Sequence, residues 1–323
     1  MPTPSDPLRL AELGLVDGFR RATALAALAA APLVGSGDGH GIDALAVEAL
    51  RRALGELTVD GLVVVGEGEK DEAPMLFVGE RFGRSDGDAP LIDLAVDPVD
   101  GTRLAAAGAP GAMAVLAVAP RGSLAALGAA HYLEKHVTWF PDAPAGAPVG
   151  ELVARIATAR GVTPAEVRVA VQERPRNERF AAEARAAGAS VELFVHGDVE
   201  RSLRAAQPGT GLDLVSGIGG APEGVLTAAA VRALGGSMWA RLAPQSEAER
   251  SRVLAAGLDL ARVWPLTELC AAPAWIFLSA VTECAPGGEV IAGVRSTPDG
   301  GAVAATWHAG PGVDRVVAEV RSN

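Results

Sequence analysis

The chain has 323 residues, 49% of them hydrophobic and 21% charged, enough for a sizeable apolar core and too apolar for global disorder. Its 28 Lys and Arg against 39 Asp and Glu give a formal charge of −11, which excludes a generic binder of nucleic acid or anionic membranes but leaves phosphorylated small molecules open. Two cysteines, Cys270 and Cys284, make no disulfide framework. The length predicts two domains or one large α/β unit. Met1-Pro2-Thr3-Pro4-Ser5-Asp6 lacks the basic-then-apolar order of a signal peptide. The longest apolar runs, 22–35 and 104–119, are Ala-rich, broken by Pro or Gly, and too short to span a bilayer. A soluble cytoplasmic protein is therefore expected.

In chain order, helical spacing of apolar residues predicts a helix over 8–31, ended by Pro32, Gly35 and Gly37. A Gly-rich loop, Gly35 to Gly41, precedes a second helix over 43–57. Buried-type strands are expected at 62–65, 91–96 and 112–118. Pro141-Asp142-Ala143-Pro144-Ala145-Gly146-Ala147-Pro148 is the best linker candidate and sets the expected domains at 1–145 and 146–323. Beyond it, strands at 167–171, 191–195 and 212–215 alternate with helices at 178–187, 198–206 and 221–234, the pattern of a parallel or mixed sheet with crossover helices. Residues 296–323 are Gly-rich and weakly patterned.

Acidic residues stand where strands stop: Glu67 and Glu69, then Asp97 and Asp100. Asp43 opens a helix, and Glu223 follows the turn expected at Gly217-Ile218-Gly219-Gly220. Ligands collect at strand ends in open α/β sheets. Converging carboxylates repel one another unless a cation lies between them, and hard oxygen donors suit Mg²⁺ or Mn²⁺. No Cys/His cluster favours structural zinc. The sharpest motif is Asp97-Pro98-Val99-Asp100-Gly101-Thr102. A turn there could aim both carboxylates at the same ions, Gly101 permits close backbone approach, and Thr102 offers a hydroxyl to orient water. Gly39 to Ala44 fits a dinucleotide-binding pattern, but a helix precedes it where a strand is required. Neither a phosphate-binding P-loop nor the G-x-S-x-G elbow of a serine hydrolase is present.

Val65–Met75 (VGEGEKDEAPM), Ala95–Arg103 (AVDPVDGTR), Tyr132–Lys135 (YLEK) and Gly217–Val225 (GIGGAPEGV) resemble the class II fructose-1,6-bisphosphatases, within the lithium-sensitive sugar and inositol phosphatase superfamily. The resemblance covers about residues 10–241 and fades towards 280. It implies a layered α/β/α/β/α sandwich and metal-dependent removal of the 1-phosphate from fructose 1,6-bisphosphate, in gluconeogenesis. It implies two ions, Mg²⁺ or Mn²⁺, the first on Asp43 and Glu67 and the second on Asp97, Asp100 and Glu223. Catalysis falls on Thr102, Glu67 and Asp100. Substrate contacts fall on Asp100, Gly101, Thr102, Tyr132, Arg174, Pro175, Arg176, His196, Gly197, Asp198 and Gly220. Arg174 and Arg176 would hold the distal phosphate with forked donors. The implied partner is a small sugar phosphate, with no nucleic acid and no membrane, and homo-oligomers are common in the family.

Several positions depart from the family pattern. Gly39, His40 and Gly41 stand where Lys, Asn and Thr are usual. Arg174 replaces a Lys, Asn177 a His, His196 a sugar-contacting Asp, and Asp100 a frequent Glu. The metal set is intact while part of the sugar-contacting set is altered. Hence a phosphatase of the same family acting on another sugar or cyclitol phosphate, such as sedoheptulose 1,7-bisphosphate, is the alternative reading. A non-catalytic protein that kept the fold is a third.

Overall fold

A computed structural model describes residues 10–66, 76–85 and 87–322. The expected Glu67 site and the Glu69 beside it lie outside the described residues. The described chain forms two units. One contains the residues up to 124 together with 270–285 and 289–322, and the other contains 125–269 with 286–288.

The first unit begins with α1 (Val16–Ala30) and α2 (Gly39–Gly55). Gly14, at φ +68°, makes the turn that starts α1 later than its apolar spacing predicts. Conversely, α2 starts four residues early, because the Asp38 side chain accepts from the Gly41 amide and caps the helix inside the Gly-rich loop. There follow β1 (Asp60–Val65), β2 (Arg81–Phe82), β3 (Leu91–Asp100), α3 (Thr102–Ala106) and β4 (Met113–Pro120).

The chain then builds the second unit from β5 (Tyr132–Thr138), α4 (Val149–Arg160), β6 (Arg168–Gln172), α5 (Glu178–Ala186), β7 (Ser190–Phe194) and α6 (Asp198–Ala205). It continues with β8 (Leu214–Gly220), α7 (Ala221–Leu234), β9 (Ser237–Leu242), α8 (Glu247–Ala255), β10 (Val263–Pro265) and α9 (Leu266–Leu269). The first unit is completed by β11 (Trp275–Ala280), β12 (Arg295–Ser296), β13 (Ala302–Gly310) and β14 (Val313–Arg321).

Both sheets are mixed. Among the described residues the first runs β12-β13-β11-β4-β3-β1-β2, with β14 also on β13, and only β1 and β3 are parallel. Helices α1 and α2 pack on it through Phe19, Ala22, Ala26, Ile42, Leu50 and Leu54, all fully buried. The second runs β10-β9-β5-β8-β6-β7, with β6 parallel to both neighbours. Successive strand residues face opposite sides. On β5, His136 meets Phe180 of α5 while Lys135 meets Asp198 of α6, so helices cover both faces of this sheet. Two layers in one unit and three in the other make an α/β layered fold with the inventory of the expected sandwich.

The single boundary expected at 145/146 does not describe these units. Residues 132–138 already pair with β8 and β9, and Trp275–Ala280 returns to pair with β4. The linker candidate 141–148 thus lies inside the second unit. The weakly patterned C-terminus is the β13–β14 hairpin. Among the described residues no helix is long and apolar enough to cross a membrane.

A polar cluster is sealed in the second unit. His136 Nδ1 lies 2.9 Å from Ser216 Oγ, its Nε2 lies 3.4 Å from Glu134 Oε1, and its ring stacks on Trp239 at 4.1 Å between centroids. Burial pushes the His136 pKa down, against the pull of Glu134. The unfolded chain therefore binds a proton that the fold does not, so stability falls as pH drops below about 6.5. His136→Gln is expected to flatten the fall of Tm between about pH 6.5 and 5, as read by thermal melts. An unchanged Tm profile would remove His136 from the acid response.

Candidate active site

In the first unit the site is built on the end of β3. Asp97 lies opposite Val115 of β4 and Asp100 opposite Met113, so β3 spends three residues where β4 spends two. This is a β-bulge, and Pro98, which has no amide proton to give a ladder, sits in it. Without the extra residue, Asp97 and Asp100 would point to opposite faces; with it, both stand opposite residues of one β4 face. The sequence expectation of a turn after the strand is thus corrected to a bulge within it. The Val99 amide donates to Asp97 Oδ1 at 3.0 Å. Asp97 is half-buried and Asp100 is buried.

Gly101 then takes φ +83°, with the Gly111 carbonyl 3.1 Å from where a Cβ would lie, and turns the chain into α3. This puts Thr102 in the first turn. Its hydroxyl lies 2.8 Å from Asp43 Oδ1 and 2.9 Å from the Val99 carbonyl, with one proton to give between them. Asp43 stands on α2 and is partly buried. Burial raises its pKa, against the Thr102 hydrogen bond and the charge of His40. A carboxylate that is costly to ionise in the bare protein is one that a cation would stabilise. Gly39 is close by: a Cβ there would come within 3.2 Å of Thr102 Cγ2.

In the second unit the site is built around β8. Gly217-Ile218-Gly219-Gly220 is the end of this strand, not the turn its glycines suggest. Polar side chains occupy the space beside each glycine. A Cβ at Gly217 would lie 3.2 Å from Asn177 Nδ2, one at Gly219 2.8 Å from Asp198 Oδ2, and one at Gly220 1.8 Å from Glu223 Oε2. Asn177 is locked there, its Oδ1 accepting from the Ile218 amide at 2.7 Å. Glu223 sits in the first turn of α7. Directly opposite Gly220 on β5 stands Tyr132. The Arg176 guanidinium lies 4.9 Å from the centre of the Tyr132 ring, and its Nε donates to the Ile218 carbonyl at 3.0 Å. Tyr132, Arg176, Gly220 and Glu223 are therefore gathered.

Arg174 is turned elsewhere. Its two terminal nitrogens donate to the carbonyls of Glu173 and Val195 at 2.8 and 3.0 Å, on the side where His196 follows β7. Pro175 stands between the two arginines and opens the short 3₁₀ turn that contains Arg176. Gly197, at φ +84°, precedes Asp198 in the first turn of α6, and Asp198 Oδ2 accepts from the buried Lys135 Nζ at 2.6 Å. Sequence reasoning missed both Lys135 and the Glu249 carboxylate that grips the start of β5. The signal for the latter was Ser246-x-x-Glu249, a capping-box pattern.

Among the described residues no three His, Cys, Asp or Glu side chains are gathered closely enough to hold a metal ion. The available donors are nonetheless all carboxylate or hydroxyl oxygens, the chemistry that hard divalent ions prefer.

Each unit by itself carries groups of a kind that phosphoric monoester hydrolases use: carboxylates and a hydroxyl on the first, and a phenol, an arginine and a glycine-lined strand on the second. The match of residues 14–317 to the family described as bacterial fructose-1,6-bisphosphatase, glpX-encoded, makes that class specific. The chain belongs to this family. It is 40% identical over 297 residues to fructose-1,6-bisphosphatase 2 class 2 of Escherichia coli (strain K12), covering 87% of this chain and 90% of that protein. It is 38% identical over 277 residues to fructose-1,6-bisphosphatase 1 class 2 of the same strain, covering 80% and 81%.

Proposed function

We propose that this enzyme removes the 1-phosphate of fructose 1,6-bisphosphate in a reaction that depends on Mg²⁺ or Mn²⁺. The observation that carries the reading is the 40% identity to a fructose-1,6-bisphosphatase across 87% of the chain. The contact of Thr102 with Asp43 supports it. Asp43, Glu67, Asp97, Asp100 and Glu223 are the proposed metal ligands. Two divalent ions, when bound, would lower the pKa of water and neutralise charge on the phosphoryl group and the leaving oxygen. A Thr102 hydroxyl that gives its proton to Asp43 keeps a lone pair for the attacking water, and so fixes that water's direction. Arg176, stacked on Tyr132, offers donors to the distal phosphate, and the phenol offers another. Gly101 and Gly220 are the proposed backbone contacts to the substrate. The remaining contacts proposed are Arg174, Pro175, His196, Gly197 and Asp198. A cytoplasmic homo-oligomer with a role in gluconeogenesis completes the reading.

The test is phosphate release from fructose 1,6-bisphosphate with Mn²⁺ or Mg²⁺ and a chelator control. Metal-dependent turnover with kcat/KM above about 10⁴ M⁻¹s⁻¹ is expected. Weak release would favour the second reading, a same-family phosphatase for another sugar or cyclitol phosphate, which His196 and Gly39 support. A side chain at 39 would press on Thr102, so the lost Lys changes the surroundings of the proposed water-directing group. On that reading His196→Asp shifts the ratio of kcat/KM values towards fructose 1,6-bisphosphate, and an unmoved ratio takes His196 out of sugar recognition.

A further inference from the structure

Among the described residues Glu249 is one of few acidic side chains almost wholly withdrawn from solvent, at 2% exposure. It stands third in α8, where a capping box would send its carboxylate back to the Ser246 amide. Only half of that motif forms: the Glu249 amide donates to Ser246 Oγ at 3.2 Å. The carboxylate leaves the helix. Oε1 accepts from the adjacent amides of His131 and Tyr132, at 2.8 and 2.9 Å, and Oε2 from the Gln245 amide at 2.9 Å.

These bonds fall where the pairing of β5 with β9 runs out, although β5 still pairs with β8 at Tyr132. The β5–β9 ladder ends at Leu133 opposite Leu242, one residue short of Tyr132. A charged acceptor takes over there, and charge-assisted bonds of this kind are about twice as strong as neutral ones. The Tyr132 carbonyl is held in turn by the Ala243 amide at 3.1 Å, and its ring by Arg176. Amide, carbonyl and ring of one residue are thus fixed by three different segments.

We propose that Glu249 is a positioning residue, which sets the first residue of β5 so that the Tyr132 phenol meets the substrate. The inference rests on the proposed contact of Tyr132 with the sugar phosphate. Glu249 itself touches only backbone amides, and its effect passes through Tyr132. Loss of its charge loosens the Tyr132 backbone at the end of the β5–β9 ladder, and substrate binding weakens while the proposed metal carboxylates, which Glu249 does not touch, are kept.

Tyr132 is the only tyrosine in the chain, which gives a readout independent of turnover. With ring-labelled tyrosine, Glu249→Gln is expected to shift or broaden the single tyrosine NMR signal of the full chain, whereas His136→Gln leaves it in place. With fructose 1,6-bisphosphate, Glu249→Gln is expected to raise KM about tenfold with kcat within about twofold. In a Tyr132→Phe background the same substitution should change KM less than about twofold, because the hydroxyl through which it acts is gone. An unmoved NMR signal in Glu249→Gln overturns the proposal. So does a tenfold rise in KM that persists in Tyr132→Phe, since Glu249 then acts on the unit as a whole. A moved signal with KM unchanged in both Glu249→Gln and Tyr132→Phe upholds the positioning of Tyr132 and overturns its contact with substrate.

Discussion

Replacing Asp97 by Ala or Asn is expected to lower kcat by about three orders of magnitude or more, with the fold intact. The bulge at Pro98 sets Asp97 and Asp100 opposite residues of one β4 face. Asn keeps the size of Asp and leaves no cavity, so the Tm of Asp97→Asn in chelator should stay within a few degrees of the parent. The parent's Tm should climb with added Mn²⁺, because an ion that binds only the folded chain stabilises it by mass action. Asp97→Asn should lose most of that climb. Turnover at the parent's rate in either variant would remove Asp97 from the metal set. A lost Mn²⁺ response with turnover retained would separate metal binding at this carboxylate from catalysis.

The same bulge marks the limit of what the sequence shows. Runs such as 62–65 and 112–118 are readable as strands because they are continuously apolar, the second buried throughout. Asp-Pro-x-Asp-Gly-Thr reads correctly as an acidic strand end. Whether Pro98 ends the strand or bulges it depends on the pairing of β3 with β4, which is a tertiary fact. Gly217 to Gly220 read as a turn for a similar reason. Glycines mark turns by their conformational freedom, but here they give room to Asn177, Asp198 and Glu223. The β13–β14 hairpin escapes notice because small residues dilute its alternation, and the interleaving of the two units escapes because β4–β11 pairing spans more than 150 residues. Glu249 looks like an ordinary capping residue until its carboxylate is seen on another strand.

The room at Gly220 leads to the second large effect. Gly220→Ala is expected to cost about a hundredfold in kcat with almost no change in Tm. The backbone at Gly220 is extended, at φ −61° and ψ 138°, a conformation any residue adopts, so alanine brings no backbone strain. The nearest atoms all belong to one group: the new Cβ would lie 1.8 Å from Glu223 Oε2 and 2.8 Å from Oε1. These atoms end a flexible side chain, so the carboxylate swings aside at little cost in stability. A displacement of about 1 Å in a catalytic group is enough for a loss of that size. If Gly220 acts by making room for Glu223, the two substitutions are not additive: Gly220→Ala in a Glu223→Ala background should change kcat less than about twofold. Full activity in Gly220→Ala would show that the observed placement of the Glu223 carboxylate is not required for turnover. An undiminished effect in the Glu223→Ala background would transfer the role of Gly220 to its own backbone, held against Tyr132 across the strand pair.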